Sequence, residues 1–102
     1  MGLFGMFSQK DTANKIQEYL KNGAIVLDVR TQGEWNEGHI EGAKHVVLNT
    51  IPTHLEEIKS YDKPIIAVCK SGGRSGAAQE FLAKNGLDII NGGPWQNVAK
   101  HL

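Results

Sequence analysis

Apolar residues follow two rhythms along the chain. Ala13, Ile16, Tyr19 and Leu20 stand at helical spacing. Asp11 is placed to cap the helix they predict, and Asn22-Gly23 to end it. Residues 24–29, AIVLDV, replace that spacing with an apolar run of strand length, rich in β-branched residues. Near-continuous apolarity of this kind marks a strand covered on both faces, as in a parallel sheet beneath helices. Residues 43–48 and 64–68 read as two more strands, the latter opened by Pro64, where a strand tolerates proline. Residues 87–90, LDII, read as a short last strand.

The intervening segments read as helices and turns. Residues 31–42 are polar with three glycines and hold a short helix at most. Residues 50–59 predict a helix capped by Asn49 or Thr50, with Pro52 in its first turn. Residues 75–85 predict another, with Ala77, Ala78, Phe81 and Leu82 inward and Gly86 as its stop. Asn91-Gly92-Gly93-Pro94 reads as a turn and 95–101 as a small helix. Strands alternating with helices give an α/β fold with a mainly parallel sheet and right-handed crossovers. Ligands of such sheets bind beyond the carboxyl ends of the strands, and Cys69 stands at such an end.

Composition narrows the function. The 102 residues suit one domain, since domains run to about 100–150 residues. Residues 8–102 are expected to form it. The first seven residues, MGLFGMF, read as a flexible or loosely packed terminus. They lack the basic stretch and cleavage site of a leader, so the expected location is the cytoplasm. Eleven basic residues balance eleven acidic ones, with no basic stretch, which argues against nucleic acid as a partner. Apolar runs are too short to span a membrane. The four histidines lack metal-ligand spacing, so no metal is expected. The single cysteine cannot form a disulfide within the chain, so its thiol is either buried and inert or used for chemistry.

The surroundings of Cys69 favour chemistry. A helix starting near Ser75 aims unpaired N–H groups and a partial positive charge back at the preceding loop. Gly72 and Gly73 let that loop curl so that successive N–H groups converge. Lys70 and Arg74 add two cations. Every one of these effects favours the thiolate. A nucleotide P-loop is excluded because the stretch lacks G-x-x-x-x-G-K-[ST], and no G-x-G-x-x-G occurs.

Three stretches together resemble the single-domain rhodanese, or thiosulfate sulfurtransferase, family. Leu27-Asp28-Val29-Arg30 with Glu34-Trp35 and Gly38-His39-Ile40-Glu41-Gly42-Ala43 is similar to its amino-terminal signature. Cys69-Lys70-Ser71-Gly72-Gly73-Arg74-Ser75 is similar to its active-site loop, and Gly92-Gly93 with Trp95 to its carboxyl-terminal signature. Lys70 stands where the family often has arginine, and Trp95 follows the double glycine sooner than usual.

The resemblance implies a rhodanese-like fold with a five-stranded sheet and no cofactor. Cys69 would carry sulfur as a persulfide, and Lys70, Ser71, Gly72, Gly73, Arg74 and Ser75 would bind the substrate. The donor would be a small anion such as thiosulfate, and the acceptor cyanide or a thiol. A sulfur-relay protein is a further expected partner, since a persulfide carrier loaded by another protein would have the same loop. Phosphatases and arsenate reductases on this fold place arginine six positions after cysteine. Arg74 is five positions after Cys69, which gives a tighter cradle suited to one extra sulfur atom. Asp28 and Arg30 are expected to support the site, with Arg30 and Glu34 able to pair locally. His39 is expected to hold a turn through hydrogen bonds.

Overall fold

The computed structural model describes residues 9–102. The expectation for residues 1–7 lies outside the described residues. Helix α1 spans Gln9–Lys21, strand β1 Ile25–Asp28, helix α2 Gln32–Glu37 and strand β2 Lys44–His45. A 3-10 segment, Leu48–His54, runs into helix α3, Leu55–Ser60. Strand β3 spans Ile65–Cys69, helix α4 Gly73–Lys84, strand β4 Ile89–Pro94 and helix α5 Trp95–Ala99.

The strands form one parallel sheet in the order β2-β1-β3-β4. Ile25 pairs with Ile65, and Ile65 with Ile89. The central strand β3 is buried at all five positions. Its side chains alternate between faces, as the pleat requires. Ile65, Ala67 and Cys69 join Ile51, Ile58, Ala78 and Leu82, which come from the 3-10 segment, α3 and α4. Ile66 and Val68 join Ile16 of α1 and Val98 of α5. Each fully buried Ile or Leu contributes about 1.5–3 kcal/mol of transfer free energy. The sheet is therefore held from both sides, and its carboxyl edge is left for the site.

Several boundaries differ from the sequence expectation. The sheet has four strands among the described residues, where the resemblance implies five. Each of the four β-branched runs supplies one, and no further run exists between residues 9 and 102. The run at 43–48 shrinks to two paired residues because it lies at the sheet edge with a partner on one side only. Asp11 lies inside the first turn of α1 rather than capping it. Neither Asn49 nor Thr50 caps a helix: the chain enters a 3-10 turn at Leu48, and Pro52 lies within it. Helix α4 starts two residues early, at Gly73, with left-handed Gly72 (φ +105°) as its N-cap. Phe81 and Ala77 face outward, while Ala78 and Leu82 point inward.

The largest difference is at β4. The predicted turn at 91–94 forms the last four of the strand's six residues. Asn91 pairs with Ala67 and Gly93 with Val68, so Gly92 is an extra residue in a β-bulge. A Cβ on Gly92 would lie 2.7 Å from Ile66 Cγ2 and 2.9 Å from Val98 Cγ2. Turn-like composition here serves close packing and a bulge.

Candidate active site

Strand β3 delivers Cys69 to the carboxyl edge, and the backbone then folds over it. The Gly72 N–H donates to Cys69 Sγ at 2.9 Å and the Ser75 N–H at 3.4 Å. Ser75 Oγ lies 3.3 Å from the same sulfur. Gly72 can adopt its positive φ without steric cost, and that conformation turns its N–H inward. The early start of α4 makes Ser75 the third helical residue, so its N–H is one of those left without an intrahelical partner.

Cys69 and Ser75 are both fully buried, at 0% exposure. Burial pushes the Cys69 thiol up. Hydrogen bonds from Ser75 and from the backbone of Gly72 and Ser71 outweigh it and bring the thiol below its ordinary value.

The remaining loop residues separate by role. Gly73 starts α4. Lys70 is exposed at the rim of a cleft of about 260 Å³, beside Trp95, Gln96 and Glu37. Arg74 turns to Glu34, with Nη1 to Oε1 at 2.7 Å and Nη2 to Oε2 at 2.9 Å. Glu34 belongs to a capping box: Thr31 Oγ1 accepts from the Glu34 N–H, and the Thr31 N–H donates to Glu34 Oε1. The Arg74 guanidinium, helped by the Thr31 N–H, holds the Glu34 carboxyl well below the usual carboxylate range.

The expected pairing of Arg30 with the Glu34 carboxylate is not made. Arg30 reaches only the Glu34 carbonyl, at 3.3 Å. Its main partner is buried Asp28, which Nη2 meets at 2.7 Å and Nε at 2.9 and 3.0 Å. Arg30 also donates to the Gly38 carbonyl at 2.8 Å and lies 5.1 Å from the centre of the Trp95 ring. The pair thus pins the α2 turn and Trp95 to the end of β1. Trp35 stacks between His39, 3.6 Å away, and His45, 4.5 Å away. His39 Nδ1 bonds the Trp35 carbonyl at 2.8 Å, which secures that turn as expected.

Asn91 is the residue that sequence reasoning passed over, because it sits in a turn-like tetrapeptide. The bulge aims its amide beneath the loop. Nδ2 donates to the Gly72 carbonyl at 3.0 Å, and Oδ1 accepts from the Gly93 N–H at 2.9 Å and from Ser75 Oγ at 2.6 Å.

The rhodanese-like domain family model matches residues 12–96. Over 67 residues the chain is 40% identical to the uncharacterized protein YqhL of Bacillus subtilis, covering 66% of this chain and 52% of that protein. Over 77 residues it is 36% identical to the thiosulfate sulfurtransferase GlpE of Ectopseudomonas mendocina, covering 72% of this chain and 67% of that protein. The match thus spans about half the length of the first relative and two thirds of the second. A solved rhodanese-related protein from Thermoplasma volcanium superposes with a TM-score of 0.71 at 31% identity, covering 86% of this chain and 87% of that one.

Proposed function

Because the chain belongs to the rhodanese-like domain family, we propose that it is a sulfurtransferase that carries sulfane sulfur on Cys69. The observation that carries this is the ring around Cys69 Sγ, with the Gly72 and Ser75 N–H groups donating to it and the Ser75 hydroxyl 3.3 Å away. Such a ring favours a sulfur anion, first as thiolate and then as persulfide.

The cycle is nucleophilic catalysis in two halves. The Cys69 thiolate attacks the outer sulfur of thiosulfate. A new S–S bond forms, the donor's S–S bond breaks, and sulfite leaves with the bonding pair. The enzyme then holds Cys69–S–S⁻. In the second half an acceptor attacks the terminal sulfur and the Cys69 thiolate leaves. Cyanide departs as thiocyanate, and a thiolate departs as a persulfide. Neither half needs a general base, a metal or a cofactor once Cys69 is ionised. Lys70 attracts the anionic donor.

A second assignment is favoured by one observation. Arg74 is spent on Glu34, which leaves Lys70 as the one loop cation without a hydrogen-bonded or ionic partner among the described residues. A loop with a single free cation suits a persulfide carrier loaded by another protein as well as an enzyme loaded by thiosulfate. The same commitment of Arg74, with its place one position too early, disfavours phosphate or arsenate as substrate.

The test is the intact mass of the reduced protein after brief incubation with thiosulfate, beside Cys69→Ser. We expect a gain of one sulfur atom, lost on adding cyanide and absent in the variant. A wild-type mass that stays unchanged would overturn thiosulfate as donor, and loading by a persulfidated protein would then establish the carrier.

A further inference from the structure

We propose that Asn91 is a positioning residue that sets the ionisation of Cys69 by competing with its sulfur for the single hydroxyl proton of Ser75. The inference rests on the sulfurtransferase assignment only in taking Cys69 as the reactive thiol.

The orientation of the Asn91 amide is fixed by its neighbours. The Gly93 N–H can only donate and the Gly72 carbonyl can only accept, so Oδ1 faces the first and Nδ2 the second. Oδ1 is therefore the atom 2.6 Å from Ser75 Oγ. It accepts and cannot donate, so this short contact takes the Ser75 proton. A serine hydroxyl has one proton. Three acceptors surround it: Asn91 Oδ1 at 2.6 Å, the Gly72 carbonyl at 3.2 Å and Cys69 Sγ at 3.3 Å. Ser75 is fully buried, so water offers no alternative.

Two arrangements follow. With the proton on the Asn91 side, Ser75 Oγ presents a lone pair to the sulfur and accepts from an S–H, which suits the neutral thiol. With the hydroxyl turned to the sulfur, it stabilises the thiolate and leaves Oδ1 with only the Gly93 N–H. Asn91 is the nearest acceptor, so it favours the first arrangement and restrains ionisation until the hydroxyl turns. Of the charged groups of the site, Arg74 interacts with Cys69 and also with Glu34 and Asp28, Arg30 pairs with Asp28, and Lys70 lines the cleft with Arg30 and Glu34. Residues 89–94 of β4 hold no titratable side chain. Asn91 therefore acts through hydrogen bonding, with no charge of its own.

A purely structural role makes the opposite prediction. If Asn91 merely braced Gly72, removing it would loosen the loop, weaken the N–H bonds to sulfur and make the thiolate less favourable. The experiment is the pH dependence of Cys69 alkylation by iodoacetamide. It needs no sulfur transfer, so thiosulfate loading can be scored separately. Asn91→Ala should move the midpoint down by about one pH unit, giving about tenfold more thiolate at pH values below it. In a Ser75→Ala background the same substitution should not lower the midpoint.

Ser75→Ala alone supplies a readout that does not require an Asn91 variant to fold. It should move the midpoint by well under one unit, because the bond that the hydroxyl gives the thiolate is largely offset by the one that Asn91 Oδ1 loses when the hydroxyl turns. An unchanged or raised midpoint in Asn91→Ala, a fall that persists without Ser75, or a rise of about one unit in Ser75→Ala would each overturn the proposal. A wild-type protein that alkylates as described but never gains sulfur would instead count against the sulfurtransferase assignment.

Discussion

Lys70 and Arg74 flank the same loop, yet their surroundings assign them different work. Arg74 is bound to Glu34 by two hydrogen bonds, while Lys70 is exposed and lines the cleft. Lys70→Ala should therefore raise KM for thiosulfate more than it lowers kcat, measured by steady-state kinetics; an unchanged KM would remove Lys70 from donor binding.

Glu34 works through stability. Its folded pKa is depressed, so its contribution is complete above the ordinary carboxylate value and is lost as pH falls through the folded one. The Arg74 side chain is 35% exposed and that of Glu34 26%, so solvent screens the pair. Glu34→Gln should cost only about 0.5–1 kcal/mol at neutral pH. Urea titrations should show that deficit constant down to about pH 5 and shrinking in stronger acid.

At the scale of elements, the bulge in β4 makes the site possible. It turns Asn91 under the loop and brings Gly92 against Ile66 and Val98. Gly92→Ala should destabilise the fold by about 1–3 kcal/mol through overpacking, read as a lower urea midpoint with unchanged slope. β1 and β3 were legible in the sequence because burial on both sides of a sheet leaves near-continuous apolar runs; on α4 the expected inward face held for Ala78 and Leu82 but not for Ala77 and Phe81. The Cys69 loop was legible because a cysteine between a strand and a glycine-led helix has few structural explanations. β4 was not, since Asn-Gly-Gly-Pro has the composition of a turn and only tertiary packing makes it a strand. The Arg74–Glu34 pair and the Asn91–Ser75 contact span 40 and 16 residues, distances at which no local pattern announces a partner.

For the whole molecule, the donors around Cys69 link its ionisation to folding. Its folded pKa lies below the ordinary thiol value, so thiolate stabilisation is present above the unfolded value and is lost as pH falls through the folded one. The melting temperature of the wild type relative to Cys69→Ser should rise as pH is taken from 7 to 9; a flat difference would mean that the ring of donors does not favour the anion. Tyr19 does not obscure this window. Burial and the Asp88 carboxylate push it up to about 12, so its effect falls at higher pH.

The same burial that protects the sulfur sets how the protein fails. Ile65–Cys69 is an uncharged, wholly apolar strand, safe only between its two neighbours. Its partners in β1 lie 40 residues away in sequence, so partial unfolding can bare it while the rest of the chain persists. Such a segment pairs edge to edge with copies of itself, and this one ends in the chain's only thiol. Heat-induced aggregates formed in air, whose oxygen takes up the two electrons, should therefore be stitched by Cys69–Cys69 disulfides. Non-reducing gels should show a covalent dimer as the largest cross-linked species, since one thiol per chain ends the ladder there.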